Sequence, residues 1–176
     1  MNLKQHIRTV DDFPKPGIRF RDITPLIGHA GGFRHVVGAL AERYAGKVDK
    51  VAAIEARGFI FGAAIAHQLH AGFVPIRKPG KLPAESIFHD YALEYGTNRV
   101  ELHVDAVARG ERVVVIDDLL ATGGTALAAI ALLERLGAII VECAFVIDLG
   151  DVGGRKRLEA AGHAVHALCE FTEDEG

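Results

Sequence analysis

Asp117 and Asp118 stand side by side after an apolar run, Val113-Val114-Val115-Ile116, and before Leu119-Leu120-Ala121-Thr122-Gly123-Gly124-Thr125. The apolar run reads as a buried parallel strand ending at the two carboxylates. Ala126 to Leu136 reads as a helix. In open α/β sheets, ligands sit at the carboxyl ends of the strands. A loop that opens a helix aims free backbone N–H groups at one point, where the helix dipole favours an anion. Gly123 and Gly124 allow a phosphate to approach the backbone, and the hydroxyls of Thr122 and Thr125 add donors. Asp117 and Asp118 repel a phosphate and suit a sugar diol, or hydroxyls beside a metal. A phosphate on one side and a diol on the other describe a ribose 5-phosphate. The loop lacks the Gly-Lys-Ser/Thr ending of a Walker A loop, and it is not G-x-G-x-x-G. A lone Asp at a strand end is often only a helix cap, but two of them before T-G-G-T exceed that role.

Three other segments carry groups that suit phosphate or a planar base. Ile54-Glu55-Ala56-Arg57-Gly58-Phe59 again closes a strand with a charged, Gly-containing turn and opens a helix. Read alone, Glu55 and Arg57 are equally well solvated turn residues. Two such loops on one sheet edge favour a ligand with two phosphate groups. Arg77-Lys78-Pro79-Gly80-Lys81-Leu82-Pro83 places three cations in a long loop. Such a run is usually a solvated face, yet long loops in compact domains are often lids. A cationic lid suits a pyrophosphate leaving group. Phe13 to Pro25 is stiffened by prolines and sets Phe20 between Arg19 and Arg21. Phe20 is either a core residue or a face on which a base stacks.

The elements that must position these groups alternate. Leu3 to Val10 is expected as a short helix, and Asp11 to Leu26 as an ordered loop. Gly32 to Tyr44 carries Phe33, Val36, Val37, Leu40 and Tyr44 at helical spacing. Val51 to Ile54 is a strand, Gly58 to His70 a helix and Phe73 to Ile76 a strand. Arg77 to Asp90 is a loop. Tyr91 to Glu94 and Arg99 to His103 are strands around the turn Gly96-Thr97-Asn98. After the acidic motif and its helix come a strand at Ile139 to Ile147, a helix at Gly153 to Ala160 and a strand at Ala164 to Leu168. This order predicts an α/β fold, a parallel sheet flanked by helices on both faces. The N-terminal segment is left to cap the sheet.

The chain has 176 residues, 49% of them hydrophobic, which fits a single globular domain, 1–176. A net charge of -3 and a pI near 6.3 give no support to nucleic-acid binding. Cys143 and Cys169 lack metal-ligand spacing and suit reduced thiols, hence a cytoplasmic setting. No signal peptide or membrane segment is expected. The nine histidines form no ligand motif, and Gly150 to Arg157 reads as a charged helix start rather than a site.

Asp117 through Thr125 resembles the phosphoribosyl pyrophosphate (PRPP) motif of type I phosphoribosyltransferases. The segments F-P-x-P-G-I-x-F-R-D-I-T-P-L, E-A-R-G-F, R-K-P-G-K-L-P and L-E-Y-G precede it in order. Together they are similar to the adenine-using branch of that family from Phe13 to about Leu168. The resemblance implies a Rossmann-like fold with a small N-terminal hood (about 1–30) and a flexible catalytic loop (about 77–98). It implies that adenine and PRPP give AMP and pyrophosphate with Mg2+, which is held mainly through PRPP rather than by direct protein ligands. By position, Ala121, Thr122, Gly123, Gly124 and Thr125 would hold the 5-phosphate, and Asp117 and Asp118 the ribose hydroxyls. Ala56, Arg57 and Gly58 would cradle pyrophosphate, with a non-proline cis peptide before the Arg. Arg77, Lys78 and Lys81 would contact pyrophosphate across a homodimer interface. Arg19 and Arg21 would meet adenine through their backbones, with Phe20 on one face of the base and Leu149 on the other. Glu94 would be the acid/base residue, with Tyr95 beside it. Glu55-Ala56 stands where some members have Asp-Ser. Two alternatives stay open: an enzyme for another purine such as xanthine, and a PRPP- or purine-sensing regulator.

Overall fold

A computed structural model of the protein describes residues 1–92 and 96–172. Strands β3 (Lys50–Ile54), β4 (Gly72–Ile76), β7 (Arg112–Leu120), β8 (Ile139–Leu149) and β9 (Val165–Phe171) form a parallel sheet in the order β4-β3-β7-β8-β9. Helices α1 (Thr24–Gly28), α2 (Ala30–Tyr44) and α3 (Arg57–Leu69) cover one face. Helices α4 (Gly124–Arg135) and α5 (Gly154–Ala160) cover the other. The expected α/β architecture is therefore present. β7 shows why both faces must be covered: Val113 and Val115 enter the core under α4, whereas Val114 and Ile116 enter the core under α2 and α3. All four are fully buried.

Two small antiparallel ribbons sit on this frame. The first joins β1 (Arg8–Val10) to β2 (Phe20–Asp22). The expected helix at Leu3 to Val10 is thus only a 3-10 turn, Leu3–His6, capped by the Asn2 side chain. Thr9 and Val10 favour the strand because they find Arg21 and Phe20 as partners. The loop between the strands is closed by Phe13 N–H to Ile18 O at 3.1 Å and Gly17 N–H to Asp12 Oδ1 at 2.8 Å. Its Phe13–Pro14 peptide is cis.

The second ribbon joins β5 (Ser86–Ala92) to β6 (Thr97–His103) and packs on α4. It corrects two expectations. The loop after Arg77 ends by Ser86, and Thr97 and Asn98 lie in β6 rather than in the turn. Ile87 and Tyr91 fall on alternate positions and turn toward the core, but the polar neighbours His89 and Asp90 hide that period in the sequence. β7 is also longer than its apolar run. It carries Asp117 and Asp118 within the strand, because β8 continues beside it through Leu119↔Ile147 and Leu120↔Asp148. Among the described residues no helix is long and apolar enough to cross a membrane.

Candidate active site

β3 and β7 are parallel neighbours, and each delivers the chain into a helix at the same sheet edge. Ala56 leads into α3 and Gly123 into α4, and neither makes a side-chain capping bond. Both helix starts leave backbone N–H groups for an outside acceptor. Between them lies a cleft of about 350 Å³. Glu55, Ala56, Arg57, Arg77, Lys78, Asp117, Asp118 and Thr125 line it, with Tyr91, Asn98 and Val100 from the β5–β6 ribbon as a further wall. Glu55 and Thr125, 70 positions apart in sequence, therefore share one pocket.

Arg57, Arg77 and the carboxylates of this cleft are already engaged. Arg57 Nε donates to Asp118 Oδ2, and Asp118 is buried. The Asp118 N–H donates to Asp117 Oδ1 at 2.9 Å. Burial, reinforced by the Asp118 charge, pushes Asp117 well above the ordinary carboxylate range. Glu55 turns toward the cationic loop, where Oε2 accepts from Arg77 Nε at 3.2 Å and from the Lys78 N–H at 3.0 Å. Burial raises the Glu55 pKa, but these two donors outweigh it and leave the group below its usual value. The non-proline cis peptide is Glu55–Ala56, one bond earlier than the bond directly before Arg57. Gly58, the second residue of α3, is buried. Arg77 Nη1 donates to the Lys81 carbonyl at 3.1 Å, so the loop folds back on itself. Lys81 is exposed and does not line the cleft.

The Thr/Gly loop is held from behind. Gly123 takes a left-handed φ of 76° and lies against Gly154 at the start of α5. A Cβ on Gly154 would come within 2.2 Å of the Ala121 carbonyl oxygen. Arg157 Nη1 reaches the Thr122 carbonyl at 3.4 Å. On the open side, Thr125 Oγ1 and Tyr91 OH are hydrogen-bonded at 3.1 Å.

A second cavity, of about 590 Å³, opens between the N-terminal ribbon and the ends of β8 and β9. Arg19, Arg21 and Leu149 line it, together with Gly17, Ile18, Asp151, Val152, Phe171 and Thr172. Phe20 does not line this cavity. It meets Phe13 edge-on at 5.2 Å, and the Arg57 guanidinium lies 5.6 Å from its ring centroid, so it bridges the ribbon and the first cleft. Glu94 and Tyr95 lie outside the described residues. The sequence pattern missed Tyr91, Asn98, Asp151, Val152, Phe171 and Thr172 as cavity walls, and Gly154 and Arg157 as backing for the loop. Only the Gly153-Gly154 pair before three basic residues hinted at a close approach; Phe171 had no motif around it.

The chain also resembles known proteins. The pattern described as the phosphoribosyl transferase domain matches residues 30–164. The adenine phosphoribosyltransferase of Methylobacillus flagellatus is 58% identical over 176 residues, which cover 99% of this chain and 100% of that one. The structure of adenine phosphoribosyltransferase from Thermoanaerobacter pseudethanolicus matches with a TM-score of 0.92 at 50% identity, covering 96% of this chain and 98% of that one. The Saccharomyces cerevisiae structure, complexed with adenine and D-2,5-dideoxy-2,5-imino-altritol 1,6-bisphosphate, matches with a TM-score of 0.89 at 37% identity, covering 95% and 96%.

Proposed function

This chain belongs to the adenine phosphoribosyltransferases, within the phosphoribosyl transferase domain family, and from that premise we propose how its two cavities share one reaction. It transfers a phosphoribosyl group to adenine. PRPP is the donor, and AMP and pyrophosphate are the products. What carries this assignment is the pair of uncapped helix starts on either side of the Asp117-Asp118 strand end. One helix start suits the 5-phosphate and the other the pyrophosphate, with the carboxylates between them for the ribose hydroxyls.

The C1–O bond to pyrophosphate breaks early and leaves oxocarbenium character on the ribose. Adenine N9 then attacks from the opposite face and inverts C1. The protein supplies position and electrostatics. Ala121 to Thr125 hold the 5-phosphate through backbone N–H groups and hydroxyls. Ala56, Arg57 and Gly58 receive pyrophosphate, with Arg77 and Lys78 closing over it. Lys81 would join them only after the loop rearranges. Substrate entry must divert Arg57 from Asp118, which frees the carboxylate for a hydroxyl donor and the guanidinium for phosphate. Adenine lies in the larger cavity between the hood and Leu149, and Phe20 would have to swing from Arg57 to stack on it. Glu94 takes or relays the base proton.

Among the described residues, no three His, Cys, Asp or Glu side chains group so as to hold a metal ion. If Mg2+ enters with the donor, Asp117 and Asp118 are the carboxylates of this cleft that would stand beside it. Bound there, it would neutralise charge on the leaving group.

Cytoplasmic purine salvage is part of the same reading, supported by the free thiols of Cys143 and Cys169. So is a homodimer. Sedimentation should give about twice the 18.9 kDa chain mass, and a monomer at working concentration would remove any role across an interface for Arg77, Lys78 and Lys81. The reaction itself is tested in both directions. Adenine, PRPP and Mg2+ should yield AMP, and AMP with pyrophosphate should return adenine. Absence of both conversions would overturn the assignment.

A further inference from the structure

Phe171 ends β9 in a part of the sequence that follows no motif, yet it is 7% exposed and lines the larger cavity. Arg21 Cζ lies 4.2 Å from its ring centroid and Lys4 Nζ lies 5.0 Å away. Arg21 is itself 5% exposed, and its Nη1 donates to Thr9 Oγ1. One ring therefore gathers the 3-10 turn, β2 and β9, and Thr9 brings in β1. The ring quadrupole attracts both cations, most strongly the desolvated guanidinium. An arginine cannot shed its charge when buried, so its orientation depends on the groups that accept that charge. Phe171 and Thr9 are two of the groups that set it here. Arg19 and Arg21 flank Phe20 on the same ribbon and face the same cavity. The hood thus has a fixed point on the sheet that its own sequence does not supply.

We propose that Phe171 is a positioning residue for the base: by anchoring Arg21 and Lys4 it docks the hood on β9 and sets the cavity to the width of a purine. This rests on the assignment of that cavity to adenine. The loop that would hold the 5-phosphate lies across α5 and does not depend on this clamp. Loss of the clamp should therefore weaken adenine without weakening PRPP.

The test is steady-state kinetics on the full chain, varying adenine and PRPP separately. Phe171→Leu keeps apolar bulk and removes the ring. It should raise the KM for adenine about tenfold, with the KM for PRPP within about twofold of wild type. Phe171→Tyr keeps the ring and should stay close to wild type. Lys4→Met removes the more distant cation and leaves the ring in place, so a rise of about threefold in the adenine KM is expected. An unchanged adenine KM in Phe171→Leu overturns the clamp, while wild-type turnover with adenine keeps the cavity assignment. A parallel rise in both KM values also overturns the clamp, because it would mean general loosening. If the wild-type protein has no adenine-dependent turnover, the cavity assignment and the clamp both fail.

Discussion

Asp117 sits where a carboxylate is costly. It is desolvated and lies next to Asp118, and both effects favour its protonated form in the absence of substrate. A folded-state pKa above the unfolded one means that folding takes up a proton. The group supports the fold best below its unfolded pKa and opposes it increasingly as pH rises through the raised value. Asp117→Asn mimics the neutral form. It should raise the Tm of the ligand-free protein by about 2–6 °C at pH 8. That gap should close as the pH is lowered toward 4, where the wild-type group is also neutral. The same change should cut kcat by about 100-fold or more, because a carboxylate beside the developing positive charge is lost. Thermal melts across pH, with kinetics on the same samples, check both halves; a lower Tm at pH 8 would contradict the account. The pair itself was legible because two adjacent acids before T-G-G-T are hard to explain otherwise. Phe171 and Asp151 were not, since a neighbour across two strands leaves no local spacing to read.

Elements carry the site through a few fixed contacts. The Asp148 Oδ2 accepts from Arg155 Nε at 2.7 Å, and Arg155 Nη1 donates to the Val165 carbonyl at 3.0 Å. These bonds tie the turn after β8 to the sheet, and that turn presents Leu149 to one cavity and Gly154 to the back of the Thr/Gly loop. Gly154→Ala would force its Cβ onto the Ala121 carbonyl and displace the loop. The KM for PRPP should rise about tenfold or more, with the KM for adenine much less affected. Equal effects on both substrates would count against the loop as the phosphate seat. On the opposite face, α2 is fastened to β8 at Glu142, which accepts from Arg43 at 2.6 and 2.8 Å and from Tyr44 OH at 2.6 Å. The Arg43 bonds lead in holding Glu142 below its usual pKa, against burial and with help from Tyr44. A depressed folded pKa stabilises above the unfolded value, and that support is lost as pH falls through the folded one. Glu142→Gln should lower Tm by about 2–5 °C at pH 7, discounted for the exposed Arg43, and the difference should vanish in acid. Helix positions such as Ala30–Tyr44 were legible within two residues, because their apolar period is regular. The strands that misled were those whose register a partner sets: β8 lengthens β7, and β6 lengthens β5.

At the scale of the molecule, the sheet separates two apolar cores and leaves its carboxyl edge free for chemistry. The alternation of strands and helices dictates that arrangement, so fold class was readable from the chain. The placement of the N-terminal ribbon was readable only by resemblance, because nothing local in Phe13 to Pro25 says that it faces the ends of β8 and β9. Phe20 lies beside the first cleft, with Arg57 against its ring. The whole account turns on one linked event, in which base and ribose donor meet. The measurement that tests it most directly is pyrophosphate release from PRPP and Mg2+, with adenine, hypoxanthine, guanine and xanthine supplied separately. The account predicts release with adenine, matched by AMP, and little with the other three, since a site shaped to pair one base leaves polar groups unpaired against the others. Release with a different base in preference to adenine, or with none of the four, would contradict it.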